Sequence, residues 1–434
     1  MSNKVRIYCV DPGPRHDYIF SLIFERLLGA DFIYADSTAS AHLNYSAETS
    51  TQLSCIPHGL LKESTLRESI KEEVSFAPWG ETHCFFKTGE GRLPFDIFSA
   101  AFYLVSRYEE WLAYKPDGHN RFPAEESVLT QNNLLDEPLV NQWAIELKRV
   151  LCEQDPNLVF EDSEFSYLST IDIDQAWKYK NKGIVRNSLG AFRDLISGKW
   201  GDLKERFMVL SSRIQDPFQT FEWQITKHKE LDIPCLYFIL LGDRGEYDKN
   251  ISHTNDEFIK LIQNLAKQEN TSIGIHPSYD SNENAHSVNE EISRLTKITG
   301  SRPTHSRQHF LMHTMPTTYR NLIKNNIQID YTMGYSTHLG FRAGIASSFL
   351  WFDLEKNEQT DLLLVPFCAM DITPLHYMKQ TEQEAIVTLC KLVDKVKHVN
   401  GCYLSLWHND SLSKDGRWRG WRRVYEEVIE YIRR

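Results

Sequence analysis

The sequence predicts an α/β protein in which residues 165–434 form a parallel barrel and residues 1–160 form a smaller α/β companion domain. From about residue 165 onward, apolar strand-like runs alternate with helical patterns in about seven strand–helix units. That order is typical of a parallel barrel rather than of an open sheet. Residues 1–160 lack it, and a chain of 434 residues is long enough for two domains.

The N-terminal part combines strands and helices without a recognisable catalytic pattern. The predicted strands are KVRIYCV and ADFIYA, and PFDIFSAAFYLVSRYEEWLAY predicts one long buried helix. A turn-rich loop, PDGHNRFP, follows, and LLDEPLVNQWAIELKRVLCEQ predicts a second, amphipathic helix. We therefore expect this domain to have a structural or substrate-guiding role.

The barrel elements alternate along the rest of the chain. The predicted strands are SYLSTIDI, IPCLYFILLG, TSIGIHP, PTHSRQHF, IQIDYTMG, DLLLVPFCAM and GCYLSLWH. The helical patterns between them include NDEFIKLIQNLAKQ, SVNEEISRLTKIT, PTTYRNLIKNN and EQEAIVTLCKLVDKVKHV. The final segment predicts an amphipathic helix that turns Trp421, Val424, Tyr425 and Val428 inward, in preference to a partner-binding segment.

Composition excludes several function classes. The formal net charge of -11 argues against nucleic acid as a partner. No stretch approaches the about 20 apolar residues of a membrane span. The N-terminal stretch has one short apolar run and then Asp11, which is unlike a signal peptide. Eight cysteines without CxxC spacing indicate reduced thiols, so we expect a cytoplasmic protein, and the oligomeric state is left open.

Polar residues stand at the carboxyl ends of most predicted strands, which is where parallel barrels carry their chemistry. Burying so many charges separately would cost several kcal/mol apiece, so a single shared site is the simpler explanation. The residues are Asp172, Asp174, Asp243, His276, Arg307, His309, Asp330, Asp371 and His408.

Asp172 and Asp174 are two residues apart on one strand, so they project from the same face at roughly 7 Å. Two carboxylates this close need a positive charge between them. If the chain turns helically after Pro277, His276 and Asp280 face the same way, and with either aspartate they make a zinc-like set of three ligands. The alternative is structural: His276 forms a hydrogen bond at the end of its strand, and Asp280 caps a helix.

Two further features bear on the chemistry. His305, His309 and His313 recur every four residues, so on a helix they would lie on one face and could bind a metal ion together. Pro303 and Pro316 instead favour a strand followed by a loop, which would separate the three histidines. Next along the chain, Arg307 can orient a buried carboxylate. At the end of the last strand, His408 can donate a proton to a leaving group.

Over residues 165–434 the order of these motifs resembles the polysaccharide deacetylase family, also called the NodB-homology family or carbohydrate esterase family 4. The N-terminal part resembles the accessory domain that precedes such barrels in some bacterial proteins. The resemblance implies a distorted (β/α)7 barrel that removes acetyl groups from N-acetylated sugars. It also implies a divalent metal, for which zinc is the first choice and other first-row metals are alternatives.

The resemblance also implies roles for individual residues. TIDID stands where the family has Thr-Phe-Asp-Asp-Gly, which implies Asp172 as general base and Asp174 as metal ligand, although the inserted Ile173 leaves the two roles exchangeable. HPSYD implies His276 as a ligand, with Asp280 in place of the family's second histidine. RQHF implies that Arg307 holds the base, with His309 replacing the family's proline.

LSLWH implies His408 as general acid, and Asp330 would orient it or line the pocket. A backbone N–H near Tyr279 would stabilise the oxyanion. The aromatic residues Trp177, Tyr279, Tyr335 and Trp407 either stack on sugar rings or are packing residues. The loop YSTHLGFRAG, with His338 and Arg342, is interpreted as part of a substrate pocket.

The sequence thus predicts a hydrolase of carbon–nitrogen bonds, a metal-dependent deacetylase acting on N-acetylated sugars in a polysaccharide or its precursor. A metal-independent glycoside hydrolase-like enzyme that uses two carboxylates is one alternative. A non-catalytic glycan-binding barrel is the other. The prediction requires Asp174, His276 and Asp280 to approach a common ion.

Overall fold

The fold is that of a computed structural model, which describes residues 4–48, 53–161 and 163–434. The strands are β1 (Lys4–Cys9), β2 (Asp31–Tyr34), β3 (Leu43–Tyr45), β4 (Leu53–Ser54), β5 (Ala77–Trp79), β6 (Thr82–Cys84), β7 (Ser166–Ile173), β8 (Cys235–Ile239), β9 (Thr271–Ile275), β10 (His305–Ser306), β11 (Ile329–Asp330), β12 (Phe349–Asp353), β13 (Glu358–Leu364), β14 (Ala369–Met370) and β15 (Cys402–His408).

The α-helices are α1 (Pro14–Phe20), α2 (Ile70–Glu73), α3 (Ile97–Val105), α4 (Tyr108–Trp111), α5 (Val128–Gln131), α6 (Leu139–Gln154), α7 (Ile184–Ile196), α8 (Trp200–Leu210), α9 (Phe221–Glu230), α10 (Asp256–Leu265), α11 (Ala285–Thr299), α12 (Thr317–Lys324), α13 (Glu382–His398) and α14 (Trp421–Arg433). Short π-helical turns cover Ser21–Leu27 and Thr373–Tyr377. Short 3-10 turns cover Thr38–Ser40, Leu60–Lys62, Ala124–Glu126, Tyr279–Ser281, His309–Leu311 and Gly416–Trp418.

The chain divides into two compact units. Unit 1 comprises residues 1–166, 332–368 and 392–403, and unit 2 comprises residues 167–331, 369–391 and 404–434. Two later segments of the chain therefore belong to the unit that contains the N-terminal residues. The predicted domain limits of 1–160 and 165–434 remain a prediction.

Unit 1 contains a four-stranded parallel sheet in the order β2-β1-β3-β4. The predicted strands KVRIYCV and ADFIYA correspond to β1 and β2. The prediction of one long helix over PFDIFSAAFYLVSRYEEWLAY is wrong, because Arg107 has φ 53° and ends α3 before α4 begins. That left-handed residue directs its buried guanidinium to Glu109 and Glu110, both at 2.7 Å, and these ion pairs offset the strain of the break.

Unit 2 is built mainly on a row of seven strands in the order β11-β10-β9-β8-β7-β15-β14. The pairs β7–β8, β8–β9, β9–β10, β10–β11 and β14–β15 are parallel. The mixed α/β class is confirmed, while closure of the row into a (β/α)7 barrel, and the companion-domain role of the N-terminal part, remain predictions. As predicted, α14 buries Trp421, Val424, Tyr425 and Val428.

The register of these strands positions the site. Ile173 pairs with Ile239, Ile239 with Ile275, Ile275 with Ser306, and Ser306 with Asp330. These five residues form one level across the sheet, so the residues that follow them emerge together at its carboxyl edge.

No helix among the described residues is long and apolar enough to cross a membrane.

Candidate active site

Three side chains that follow the aligned strand ends form a candidate metal centre. Asp174 follows β7, His276 follows β9, and His309 lies in the loop after β10. One ligand atom from each lies within 4.8 Å of the other two. Nε2 of His276 is 3.3 Å from Oδ1 of Asp174, and Nε2 of His309 is 3.5 Å from Oδ2.

The second ring nitrogen of each histidine is held by another group. Nδ1 of His276 donates to the carbonyl oxygen of Arg307 at 2.5 Å. Nδ1 of His309 donates to Oδ1 of Asp248, a buried carboxylate, at 2.7 Å. Such partners fix the tautomer and orientation of metal-binding histidines. In the neutral form of each histidine, Nε2 therefore faces Asp174 with its lone pair available to a metal ion.

The donor set fits a divalent metal ion. Two imidazoles and one carboxylate leave coordination positions open, which is the catalytic rather than the structural pattern for zinc. Among the described residues, no donor reaches the buried Oδ1 of Asp174 at hydrogen-bonding geometry. Burial raises the pKa of Asp174, but the positive charge of His309 and the nearby imidazole groups of His276 and His309 outweigh it and hold that pKa well below its usual range.

Asp172 lies beside this cluster and is held by an arginine. Its Oδ1 accepts a hydrogen bond from Nη1 of Arg307 at 2.9 Å, and its Oδ2 is 3.7 Å from Nε2 of His276. Asp172 and Arg307 are both buried. Nε of Arg307 donates to the carbonyl oxygen of Tyr331, and its guanidinium lies 4.5 Å from the ring centre of Phe238. One carboxylate oxygen is thus anchored while the other faces the candidate metal ligands.

On another side of Asp174 lies His408, the last residue of β15. Its Nε2 is 3.7 Å from Oδ2 of Asp174, and its Nδ1 is 3.1 Å from both carboxylate oxygens of Asp371. The backbone N–H of His408 also donates to Asp371, at 2.7 Å. Burial lowers the pKa of His408, but the charge and hydrogen bond of Asp371, together with the charge of Asp174, raise it well above its ordinary value. The imidazolium form therefore predominates at neutral pH.

A cluster of aromatic side chains packs against His309. Tyr247 packs on Tyr279 with ring centres 4.2 Å apart, and Phe310 meets Tyr279 edge-on at 5.5 Å and His309 at 4.8 Å. Phe310 has φ 57° and the following Leu311 has φ 52°. Two bulky residues in succession in the left-handed region are strained, and such strain is concentrated at functional sites.

The structure brings together five of the residues predicted for the site, namely Asp172, Asp174, His276, Arg307 and His408. The convergence of Asp280 with Asp174 and His276 is wrong. Ser278 is extended, with φ -61° and ψ 162°, so the chain does not turn helically after Pro277. Asp280 lies exposed in the short turn Tyr279–Ser281 and is not part of the cluster, in which His309 takes the third position.

Two predictions about groups that orient or stabilise are also corrected. Asp330 is buried and accepts a hydrogen bond from Oγ of Ser306 at 2.8 Å, whereas the carboxylate on His408 is that of Asp371. The backbone N–H of Tyr279 donates to Asp248 at 3.0 Å, so it is already used and does not serve as an oxyanion donor.

Several other candidate side chains have structural roles. Trp407 is buried and packs edge-on against Tyr425, and Trp177 is buried against Phe258. Asp243 is exposed and pairs with Arg294.

Tyr335 and Arg342 belong to unit 1, where both are buried. Arg342 makes two 2.8 Å hydrogen bonds to Glu110, and its guanidinium lies 4.9 Å from the ring centre of Tyr335. The prediction that these two residues bind substrate is wrong, because an internal ion pair occupies the guanidinium.

Three residues of the site were missed or given another role by the sequence prediction. His309 was included among the polar strand ends and in the repeat with His305 and His313, which the flanking prolines argued against as a metal site, and its one assigned role was to replace the family's proline. Asp371 was noted at a strand end without a role. Asp248 lies inside the loop after β8, and no pattern in the sequence distinguishes it from neighbouring acidic residues.

Comparison with known proteins gives one family match and several similar folds. A family of unknown function, DUF7033, matches residues 5–156. None of the curated proteins matches the chain. A structure from Mycobacterium smegmatis assigned as a polysaccharide deacetylase is similar with a TM-score of 0.38 and 15% identity, over 63% of this chain and 86% of that one.

Two further similar structures have other descriptions. A 4-alpha-glucanotransferase from Thermococcus litoralis has a TM-score of 0.35 and 11% identity, over 62% of this chain and 37% of that one. A carbohydrate esterase family 4 pseudoenzyme from Bacillus anthracis has a TM-score of 0.28 and 8% identity, over 62% and 61%. At these values the likeness carries no functional conclusion, and the function is considered from the geometry of the site alone.

Proposed function

We propose that unit 2 is a metal-dependent deacetylase that hydrolyses the acetamide of an N-acetylated sugar, in a polysaccharide or its precursor. One observation carries the proposal: ligand atoms of Asp174, His276 and His309 lie within 4.8 Å of one another. Beside them stand a carboxylate anchored by an arginine and an imidazole anchored by a carboxylate. A general base, a general acid and a candidate metal site in one cluster are the groups that metal-assisted hydrolysis of an amide requires.

Asp174, His276 and His309 would hold the metal ion, with zinc or another first-row ion as the candidate. When bound, such an ion acts as a Lewis acid on a carbonyl and lowers the pKa of water from about 15.7 to about 7. The hydrogen bonds to Arg307 and Asp248 keep both imidazoles oriented for this task.

Asp172 is the general base. Arg307 occupies its Oδ1, so the remaining oxygen, Oδ2, accepts the proton of the attacking water. The new C–O bond forms at the acetamide carbonyl carbon. Because the Arg307–Asp172 pair is buried, the carboxylate keeps one orientation through this step.

His408 is the general acid. Its Nε2 lies 3.7 Å from Oδ2 of Asp174, and Asp371 holds its Nδ1. The imidazolium gives its Nε2 proton to the departing nitrogen as the C–N bond breaks. The products are acetate and a free amino sugar, and the proton taken by Asp172 balances the one that His408 gives.

Tyr247, Tyr279 and Phe310 are suited to the sugar itself. Their rings pack on one another, Phe310 packs against His309, and Phe310 is 37% exposed. Aromatic faces pack on the apolar faces of sugar rings, while the hydroxyl groups of the two tyrosines can hydrogen-bond to the substrate.

The test is metal analysis of the purified protein followed by an assay of acetate release from N-acetylated glycans. Asp172→Asn and His408→Ala should each lower kcat by about 10²–10⁴-fold. Asp243→Asn is the matched control, because Asp243 also follows a strand but is exposed on the surface. Unchanged activity in both site variants overturns the mechanism.

The alternatives give different results in the same experiment. Acetate release without a stoichiometric metal ion would contradict the proposed centre. Cleavage of glycosidic bonds without a metal would favour a two-carboxylate enzyme. Sugar binding with neither metal nor acetate release would favour a non-catalytic glycan-binding protein.

A further inference from the structure

Helices α7 and α8 form a hairpin in unit 2 whose apolar side chains point outward. Val185, Leu189, Phe192 and Ile196 recur at the spacing of one helical face, and each is at least 62% exposed. Trp200, Phe207 and Leu210 continue the apolar surface on α8, with exposures of 64%, 62% and 47%. So many adjacent exposed apolar side chains mark an interaction surface. We call these seven residues the apolar face of the hairpin.

The polar side of the same hairpin is buried. Arg206 of α8 donates to Asp194 of α7 at 2.6 Å and to Asn187 at 3.0 Å. Gly190 makes room for this network, because a Cβ there would lie 2.8 Å from the guanidinium nitrogens. The two helices are thus joined through polar groups while their apolar groups face away. This inverts the usual arrangement of a surface helix, so the exposed face is a built feature of the hairpin.

The hairpin lies in a basic segment of an acidic protein. Its helices and their connection, residues 184–210, contain five Lys or Arg and three Asp or Glu, and the flanking residues 178–183 and 211–214 add four Lys or Arg and no Asp or Glu. Residues 178–214 contain nine Lys or Arg and three Asp or Glu, a formal net charge of +6. The whole chain has a formal net charge of -11, so the remainder carries -17. Lys199 and Lys204 are exposed and flank Trp200 at the start of α8.

We propose that this hairpin binds the surface of a lipid bilayer that contains anionic lipids. An exposed apolar face with Trp and Phe, surrounded by Lys and Arg, is the pattern of helices that lie in the membrane interface. The apolar face enters the boundary between head groups and acyl chains, and the basic residues pair with anionic head groups. Helices of 13 and 11 residues are too short to span a bilayer, so the hairpin lies along the surface.

The charge of this segment also favours an anionic bilayer over a second copy of the chain as the partner of the apolar face. Two hairpins placed face to face would bring two surfaces of the same positive sign together, which opposes self-association. An anionic lipid surface offers both an apolar layer for the exposed side chains and a charge opposite to that of this segment.

The experiment is flotation of the full chain with vesicles of phosphatidylglycerol and phosphatidylcholine in equal parts, and with vesicles of phosphatidylcholine alone. The protein should float with the anionic vesicles, and raising the salt concentration should weaken the binding. A double variant, Phe192→Asp with Phe207→Asp, should bind at least about tenfold more weakly. The control, Ile323→Asp with Val387→Asp, changes two exposed apolar residues on other helices of unit 2 and should bind like the unaltered protein.

A second variant keeps the proposal testable if the first does not fold. Lys199→Glu with Lys204→Glu leaves the apolar face intact and should reduce binding to the anionic vesicles. Failure of the unaltered protein to float with anionic vesicles overturns the proposal. An equal loss of vesicle binding in the control variant also overturns it. So does a protein that does not bind vesicles but forms a dimer, seen by light scattering, that the Phe192 and Phe207 changes dissociate. None of these readouts depends on catalytic activity.

Discussion

The identity of the third metal ligand is the sharpest prediction about the candidate centre. His309→Ala removes an imidazole whose Nε2 is 3.5 Å from Asp174, whereas Asp280→Asn changes an exposed side chain outside the cluster. We therefore expect His309→Ala to lose metal affinity and Asp280→Asn to retain it. The two variants form a matched pair, since Asp280 is the residue that sequence spacing alone would assign.

The size of the effect follows from the contacts of His309. Loss of a group that only supports a metal ligand costs about 10–100-fold in affinity, and Asp248 is such a group for His309, at 2.7 Å. Loss of the ligand itself should exceed that range. We expect more than about 100-fold weaker binding for His309→Ala, or about 2.7 kcal/mol, and about 10–100-fold for Asp248→Asn.

The pH dependence of metal binding provides a second readout. Burial lowers the pKa of His309, but Asp174 and Asp248 raise it more, to about 9 in the metal-free protein. A proton therefore competes with the metal below pH 9, and affinity should rise about tenfold per pH unit between pH 7 and 9. The proton of His309 cannot contribute to this dependence in His309→Ala.

The assay is titration of metal-free protein with Zn²⁺ in competition with a chromogenic chelator, at several pH values. Circular dichroism verifies that each variant is folded. Affinity within threefold of the unaltered protein for His309→Ala, or a large loss for Asp280→Asn, would refute the assignment of His309.

Three further predictions concern groups around the centre. Arg307→Met leaves the buried carboxylate of Asp172 without its partner and should lower the free energy of unfolding by about 3–5 kcal/mol in urea, and a loss below about 1 kcal/mol would contradict this. Asp371→Asn removes the charge that raises the pKa of His408, so the alkaline limb of the pH profile of kcat should move to lower pH, and an unmoved limb would count against His408 as the acid. Burial raises the pKa of Glu291 from 4.5 to about 7, so the folded state binds this proton more tightly and loses stability as pH rises through that interval. Glu291→Gln should remove this loss, about 3 kcal/mol between pH 4.5 and 7 by urea unfolding, and parallel curves for the two proteins would exclude it.

The convergence of Asp174, His276 and Arg307 could be predicted because it depends on strand register. Each residue directly follows a strand, which is apolar for Asp174 and His276 and is the short β10 for Arg307, and parallel strands end at one edge. The register confirms this reasoning, since Ile173, Ile275 and Ser306 lie at one level across the sheet. Patterns of buried strands are readable from a sequence, and so are the residues that come immediately after them.

The rest of the centre depends on loop conformation, which leaves little trace in composition. Whether His276 faces Asp280 depends on the backbone of Ser278, which is extended. The position of His309 depends on the left-handed Phe310 and Leu311 that follow it. Neither has a pattern of apolar residues that would reveal it.

Unit 1 shows the same limit in a helix. The long apolar run of α3 was predicted correctly as buried, but the break at Arg107 follows from ion pairs with Glu109 and Glu110. Arg342 was misassigned for a related reason, because its partner Glu110 lies 232 residues away in the chain. Tertiary pairs of this kind decide local structure without a local pattern.

Asp248 has a consequence for protein engineering. One oxygen of this carboxylate accepts hydrogen bonds from both Nδ1 of His309 and the backbone N–H of Tyr279. Tyr247 and Asp248 lie in the same loop after β8. Replacing that loop to change the substrate would therefore remove Tyr247 and, with it, the carboxylate that both His309 and Tyr279 use. A library that varies Tyr247, Tyr279 and Phe310 should therefore keep Asp248 constant, because loss of its hydrogen bond to His309 is expected to weaken the proposed metal site.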